Sequence, residues 1–169
     1  MDNYIEQILD KRVSAKQVFY LVASCMVTFA GVVTLLFVHF GIGIAVAAVG
    51  GILIYYAHLS QSIEYEYLFV NGDCDIAQIT SKASRKNIYA FKAGDVQRVL
   101  PYESYKFQNE LEVNANLSIR NYTSGYSDAS RMWYAFMVAN VSGEVAVVLE
   151  LNEKSLEHIR DFYKNKLEE

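Results

Sequence analysis

The sequence predicts a membrane-anchored protein in which an α-helical hairpin precedes a soluble domain of the α+β, mainly-β class. Three observations lead to this fold class. Hydrophobic residues make up 53% of the 169-residue chain, whereas about 45–50% is usual in soluble domains, and the excess is concentrated in one block before residue 60. After that block, apolar and polar residues alternate as they do in β-strands. The last segment of the chain shows the spacing of an amphipathic helix.

Residues 1–16 are predicted to form an amphipathic helix. On a helical projection the apolar residues of this segment fall on one face, whereas most of the charged residues fall elsewhere. The residues on that face are Ile5, Ile8, Leu9 and the pair Arg12–Val13. Such a helix could lie on the membrane surface or pack against the soluble domain, and the sequence leaves both arrangements open.

The apolar block, residues 18–57, contains no Asp, Glu, Lys or Arg. One helix of that length would be about 60 Å long, roughly twice the hydrocarbon thickness of a bilayer, so two spans fit better than one. The glycine-containing turn after His39 separates a first helix at 17–38 from a second at 42–58. A cleaved signal peptide is excluded because its apolar region has only about 7–15 residues. We therefore expect a two-helix transmembrane hairpin over 17–58.

Basic residues that flank the hairpin predict its orientation. Those before the first span are Lys11, Arg12 and Lys16. The connecting loop carries neither Lys nor Arg, and the next basic residue is Lys82. Because basic flanks are retained on the cytoplasmic side, we expect both termini in the cytoplasm. Residues 60–169 would then be the cytoplasmic domain of a plasma-membrane protein.

The second span carries small residues at regular spacing. Gly43, Ala47 and Gly51 follow one another at intervals of four, a pattern that lets helix backbones approach closely. We interpret these residues as the packing surface between the two spans. A homo-oligomer interface is the alternative.

Residues 60–169 are predicted to contain seven strands and a C-terminal helix. The predicted strands lie at 63–70, 74–80, 88–91, 96–100, 117–122, 132–141 and 144–151. Asn71-Gly72 between the first two strands is a strong hairpin signal. The polar stretch 103–116 is not assigned. Apolar residues at helical spacing after Asn152 predict the last helix at 152–167.

This order of elements is that of a pleckstrin-homology-like (PH-like) seven-strand barrel closed by one C-terminal helix, and an unrelated α+β sheet with a packed helix is the alternative. The chain also resembles an uncharacterised family of small bacterial membrane proteins. The similar stretches are Met1-Asp2-Asn3-Tyr4-Ile5-Glu6-Gln7-Ile8, Glu64-Tyr65-Glu66-Tyr67, Asn71-Gly72-Asp73, Asp75-Ile76 and Arg85-Lys86. The resemblance implies two spans followed by a PH-like domain over nearly the whole chain. It implies no catalytic residues and no known function.

The titratable residues form no catalytic, cofactor or metal motif in the sequence. His39, His58 and His158 lie in three different segments, and the spacing of Cys25 and Cys74 fits neither a disulfide framework nor a metal site. We therefore expect no enzyme and no cofactor. The net charge of −4 gives no general attraction to nucleic acid.

Two functional hypotheses remain. The first is a membrane-anchored, non-enzymatic interaction or scaffold module that binds a protein partner or itself, and it predicts an exposed aromatic or apolar surface or a free sheet edge. The aromatic residues that build either the core or that surface are Tyr65, Tyr67, Trp133, Tyr134 and Phe136, and a core location is the default. The alternative is a domain that binds lipid headgroups or the membrane surface.

The lipid-binding alternative depends on the basic turn at residues 81–87. Its cationic residues are Lys82, Arg85 and Lys86, with Lys92 as a fourth nearby. Basic clusters that recognise anionic lipids usually contain about 4–8 Lys or Arg residues. This turn has only three or four such residues, so an ordinary solvated hairpin turn is the favoured interpretation.

Overall fold

The computed structural model of the protein describes residues 4–114, 117–126, 130–140 and 143–168. Its helices are α1 (Ala15–Phe37), α2 (Phe40–Leu59), α3 (Tyr105–Val113) and α4 (Glu153–Phe162). Its strands are β1 (Tyr4–Asp10), β2 (Ile63–Val70), β3 (Asp73–Thr80), β4 (Ser84–Phe91), β5 (Val96–Pro101), β6 (Ser118–Asn121), β7 (Met132–Asn140) and β8 (Gly143–Leu151).

These elements form two compact units. The helical unit consists of Arg12–Ile63 and Thr80–Ser84. The sheet unit consists of the described residues of Met1–Lys11, Glu64–Ile79 and Arg85–Glu169.

Helices α1 and α2 form the predicted hairpin. They contain 23 and 20 residues, which corresponds to about 35 and 30 Å and matches the hydrocarbon thickness of a bilayer. By length and composition both are apolar enough to cross a membrane. Ser14 and Gln17 form a capping box at the start of α1, and His39 caps α2 by accepting a hydrogen bond from the Ile42 amide.

Glycines allow α1 and α2 to pack with their backbones in close contact. A Cβ atom at Gly43 would collide with the backbone of Leu35, and one at Gly50 would lie 2.7 Å from the Cα and the amide nitrogen of Thr28. No other residue type fits these two positions without moving the helices apart.

The remaining small residues of the hairpin differ in what they face. Gly31 of α1 lies directly against the backbone of Ala47, so Ala47 belongs to the same packing surface as Gly43. Gly51, in contrast, has no neighbouring atom within 4 Å of the position that a Cβ would take. The small-residue series of α2 therefore faces two directions.

Strand β1 is the main difference from the sequence prediction. Residues 4–10 are not helical: they pair antiparallel with β2, with Tyr4 opposite Val70 and Asp10 opposite Glu64. A segment this short satisfies both the helical and the strand period, and pairing with β2 decides for the strand. Ile5, Gln7 and Leu9 face the interior as a result.

The sheet unit contains two four-stranded sheets. The first has the order β1-β2-β3-β4 and the second has the order β5-β7-β8-β6, in which β6 runs parallel to β8. The main core packs between the inner faces of both sheets and α4. The prediction of a seven-strand barrel is thus wrong in detail: the described residues form eight strands in two sheets and no closed barrel.

Helix α3 occupies the stretch that the sequence left unassigned. Ser104 caps it, and the fully buried Phe107 packs against Leu100 and Met137 in a second apolar cluster. This cluster covers the outer face of the second sheet. That sheet therefore has apolar packing on both faces.

Helix α4 ends at Phe162, five residues before the predicted end. The chain then turns back to the edge of the second sheet, where the Val99 amide donates to the Lys166 carbonyl at 2.8 Å and the Glu168 amide donates to the Val99 carbonyl at 3.0 Å. The C-terminal residues thereby pair with β5 instead of extending the helix.

The predicted Asn71-Gly72 hairpin turn is confirmed. Both residues have positive φ, 52° and 89°, as the type I′ turn requires. The turn is held against α4, because the Tyr163 hydroxyl donates to the Gly72 carbonyl at 2.6 Å and the Gly72 amide donates to Nε2 of His158 at 3.2 Å.

Candidate interaction surfaces

One end of the hairpin is polar and basic. The side chain of Gln17 donates to the Ser60 carbonyl and so joins the start of α1 to the end of α2. The turn between β3 and β4 lies at this same end, since the Ser81 amide donates to the Ser62 carbonyl at 2.7 Å. This turn carries Lys82. The basic residues of the helical unit at this end are Arg12, Lys16 and Lys82.

The hairpin changes character along its length. Next to the basic end, Tyr20, Tyr55 and Tyr56 are exposed, as in the aromatic belt at a membrane interface. At the opposite end the exposed residues are Phe37, Val38 and Phe40. The hairpin thus has a basic end, exposed tyrosines next to that end, and an apolar tip.

The three residues of the predicted basic turn do not all lie in the same element. Lys82 belongs to the helical unit, whereas Arg85 and Lys86 lie on strand β4 of the sheet unit. Arg85 forms an ion pair with Glu66, and this hydrogen bond raises the pKa of the guanidinium. Lys86 is exposed. Arg85 is therefore engaged by a carboxylate of its own unit.

The outer face of the first sheet is acidic and partly apolar. Alternation along β1, β2 and β3 places one set of side chains on the face opposite to the core. Eight side chains of this set, together with Arg85, are called the acidic sheet face: Tyr4, Glu6, Ile8, Asp10, Glu64, Glu66, Leu68 and Asp75. Tyr4 is 56% exposed and Ile8 is 50% exposed. Apolar side chains on this face are therefore available to a partner.

Arg85 interacts electrostatically with several carboxylates of this face. Glu66 accepts its hydrogen bond, and the charges of Glu6 and Asp75 also raise the pKa of Arg85. The Tyr4 hydroxyl donates to Glu6 at 2.8 Å, which raises the pKa of Tyr4. One guanidinium thus interacts with more than one carboxylate. The net charge of the face therefore remains negative.

The second sheet has a small cavity beside a buried carboxylate. The cavity measures about 300 Å³, and its lining residues are Pro101, Glu103, Arg131, Met132, Trp133 and Tyr134. The fully buried Glu150 lies opposite the lining residue Trp133 in the β7–β8 register. Its carboxylate accepts hydrogen bonds from the amide and the hydroxyl of Ser124 at 2.9 and 2.6 Å, and Arg131 lies 3.4 Å away. These donors explain Glu150 as a structural anchor for the loop after β6.

The other candidate residues lie in different elements of the structure. His39 caps α2, His58 lies in its last turn, and His158 is buried on α4. Cys25 and Cys74 are both free thiols, and burial raises the pKa of Cys74 well above its ordinary value. Within the part of the chain that the structure describes, no group of three or more His, Cys, Asp or Glu residues is arranged to hold a metal ion.

The predicted aromatic residues are largely core residues. Four of them are buried: Tyr65, Tyr67, Tyr134 and Phe136. Trp133 is partly buried and lines the cavity of the second sheet. Among the aromatic side chains of β1, β2 and β3, the exposed one is Tyr4, on a strand that the sequence predicted as a helix.

The chain thus combines two apolar helices with a two-sheet domain that ends in a helix, which is a membrane-hairpin class of domain protein by its elements. The chain belongs to the family described as Bacterial PH-like domain (DUF6106), whose model matches residues 1–169. This result confirms the resemblance that the sequence indicated. No curated protein and no solved structure matches the chain.

Proposed function

We propose that the protein is a membrane-anchored, non-enzymatic interaction module: α1 and α2 cross the membrane, and the PH-like domain binds a protein partner on one side of it. One observation carries the anchor part of this proposal. The hairpin is inserted between two paired strands, because Asp10 at the end of β1 lies opposite Glu64 in β2. The chain thus enters and leaves the hairpin at one place, which requires an even number of spans.

The two ends of the hairpin support the same topology. The basic end of the hairpin, with Arg12, Lys16 and Lys82, suits the cytoplasmic interface, where Lys and Arg are retained. The apolar tip around Phe37 and Phe40 suits a short turn that reaches the far interface. The PH-like domain and both termini are then cytoplasmic, at the plasma membrane.

The acidic sheet face supports binding as the role of the domain. The outer face of the second sheet is covered by α3 around Phe107, whereas Tyr4 and Ile8 on the first sheet are half-exposed. Exposed apolar side chains rimmed by polar ones mark contact surfaces. The fully buried Glu150 carboxylate accepts hydrogen bonds from the amide and the hydroxyl of Ser124, which gives it a structural role.

Site-specific photo-crosslinking in native membranes tests the interaction role. A photoreactive residue at position 8 should give one discrete protein adduct, and the same residue at Glu157, exposed on α4, should not. The adduct partner, identified and purified, should bind the wild type and lose affinity for Ile8→Glu. Equal labelling at both positions, or unchanged affinity for Ile8→Glu, would show that this face is not the binding surface.

The position of Lys82 favours a second candidate function, which is the binding of an anionic lipid headgroup at the basic end of the hairpin. The hydrogen bond from Ser81 to Ser62 holds Lys82 at the end of α2. Native mass spectrometry of the protein from bilayers with anionic lipid should then show bound lipid that is lost in Lys16→Gln with Lys82→Gln. The control Lys86→Gln, on β4, should retain it. Equal retention in all three proteins would dismiss this function.

A further inference from the structure

We propose that the acidic sheet face binds a cationic protein segment that carries Lys or Arg beside apolar side chains. This inference rests on the proposed function and gives the chemistry of the partner. The face contains five carboxylates and one guanidinium, and it includes two half-exposed apolar side chains. A complementary segment therefore needs both positive charge and apolar surface.

Like charges face each other on this surface. Asp10 and Glu64 are directly opposite in the β1–β2 register, and both point away from the core. Like charges at directly opposite positions destabilise a strand pair. A bound cation between these carboxylates would relieve their repulsion, and that relief would add to the binding free energy.

Arg85 leaves this negative charge incompletely neutralised. Its guanidinium is bound to Glu66, and the charges of Glu6 and Asp75 also act on it. A single positive charge cannot balance three carboxylates. A Lys or Arg side chain of a partner would find Glu6 and Asp75 still available as charged acceptors.

The apolar residues of the face lie between the carboxylates. Residues on the same side of a strand are about 6.6–6.8 Å apart at every second position, so Tyr4, Glu6 and Ile8 form a row that alternates apolar, acidic and apolar. Tyr4 and Ile8 provide the desolvated contact area, and the neighbouring carboxylates provide charge complementarity.

The same charges argue against other occupants. A symmetric dimer through this face would place carboxylates against carboxylates, because a two-fold contact uses the same surface on both copies. An anionic bilayer and a nucleic acid would be repelled for the same reason. A cationic protein segment is the occupant that fits.

Peptide titration tests this inference with the full-length protein in nanodiscs of zwitterionic lipid. The probes are a fluorescent 12-residue peptide of alternating Lys and Leu and its counterpart of alternating Glu and Leu. The test variant is Glu6→Gln with Asp75→Asn. The control variant, Glu112→Gln with Glu157→Gln, changes the net charge equally at exposed positions of α3 and α4.

The Lys-Leu peptide should bind the wild type and the control variant alike. Loss of two exposed ion pairs should weaken its binding to the test variant by about fivefold or more, and added salt should reduce that difference. Arg85→Gln removes the internal cation and should strengthen binding by about twofold to fivefold. The Glu-Leu peptide should not bind.

Equal effects of the test and control variants, or preference for the Glu-Leu peptide, would overturn the inference. Circular dichroism and thermal unfolding of each variant establish that the fold is intact, so a loss of binding can be assigned to charge. If the photoreactive residue at position 8 gives a protein adduct but peptide binding does not depend on charge, the proposed interaction module stands and the cationic partner is rejected. Absence of both adduct and peptide binding would reject the module itself.

Discussion

The imidazole of His158 is buried between two aromatic rings, with centroid distances of 5.8 Å to Phe69 and 4.6 Å to Phe162. Because the Gly72 amide donates to Nε2, the proton of the neutral ring is on Nδ1, which is buried without a hydrogen-bond partner in the described part of the chain. Burial lowers the pKa of His158, and the charge of Asp161 opposes this shift only in part. The folded state therefore selects the neutral imidazole.

The free energy of unfolding should fall at mildly acidic pH because of His158. Its pKa in the folded protein lies below the unfolded value of about 6.5, so below that pH the unfolded chain takes up a proton that the folded chain does not. Stability is then lost by up to about 1.4 kcal/mol per pH unit until the folded pKa is reached. Chemical denaturation between pH 5 and pH 7.5 measures this slope.

The matched variant is His158→Gln, which keeps a hydrogen-bond acceptor for Gly72 but does not titrate. Its stability should depend less on pH over the same range, because every other titratable group is common to both proteins. Identical slopes for the two proteins would show that His158 is not protonated differently in the folded and unfolded states.

Helix packing in the hairpin depends on which glycine faces the neighbouring helix. Gly50→Leu should force α1 and α2 apart, because a Cβ there lies 2.7 Å from backbone atoms of Thr28. Gly51→Leu, one residue further along, should be tolerated because its Cβ position is open. The measurement is the yield of a disulfide between cysteines placed on the facing sides of the two helices, in detergent. Equal yields in both variants would contradict the packing.

The variant Gly51→Leu also tests the homo-oligomer alternative. If a second copy packs against the open side of α2, Gly51→Leu should lower the mass of the detergent-solubilised protein, whereas a monomer should show no change. Light scattering of wild type and Gly51→Leu distinguishes these outcomes.

Local patterns predict most elements of this chain and fail where long-range pairing decides. The strands after residue 62 and helix α4 follow from alternation, turn residues and capping, all of which are local. The segment 4–10 fits both periods, and only its pairing with β2, across the whole hairpin, makes it a strand. Helix α3 buries mainly Phe107, so its helical pattern is too weak to recognise. The parallel pairing of β6 with β8 has no local signal.

The candidate surface was predictable only in part for the same reason. In the sequence, Arg85 and Lys86 are neighbours and indicate a basic cluster. In the structure, the ion-pair partner of Arg85 is Glu66, two strands away in the sheet. The acidic sheet face combines residues of β1, β2 and β3. Once β1 is taken for a helix, Tyr4 and Ile8 cannot be placed beside Glu66.

At the scale of the whole molecule, the hairpin is an insertion between two adjacent strands. Replacing residues 11–63 with Asn-Gly should therefore give a soluble, folded domain, since Asp10 and Glu64 already lie opposite each other and a two-residue turn can join them. Circular dichroism and analytical ultracentrifugation after expression without detergent measure the result.

The control for this excision lacks residues 1–10 as well. It should fail to fold cooperatively, because it loses the fully buried Leu9 and the Gln7 side chain that donates to the Glu150 carbonyl at 2.7 Å. An excised chain that aggregates although β1 is present would show that the sheet unit depends on the hairpin.

The central claim, a two-span hairpin with the whole PH-like domain on one side, is tested most directly by labelling single cysteines with a membrane-impermeant maleimide. In a cysteine-free background, cysteines replace Asp10 before the hairpin, Val38 at its tip and Asn109 on α3. We predict labelling at position 38 in intact cells, and labelling at positions 10 and 109 only after permeabilisation. Labelling of positions 10 and 109 from opposite sides, or of position 38 from the same side as both, would contradict the claim.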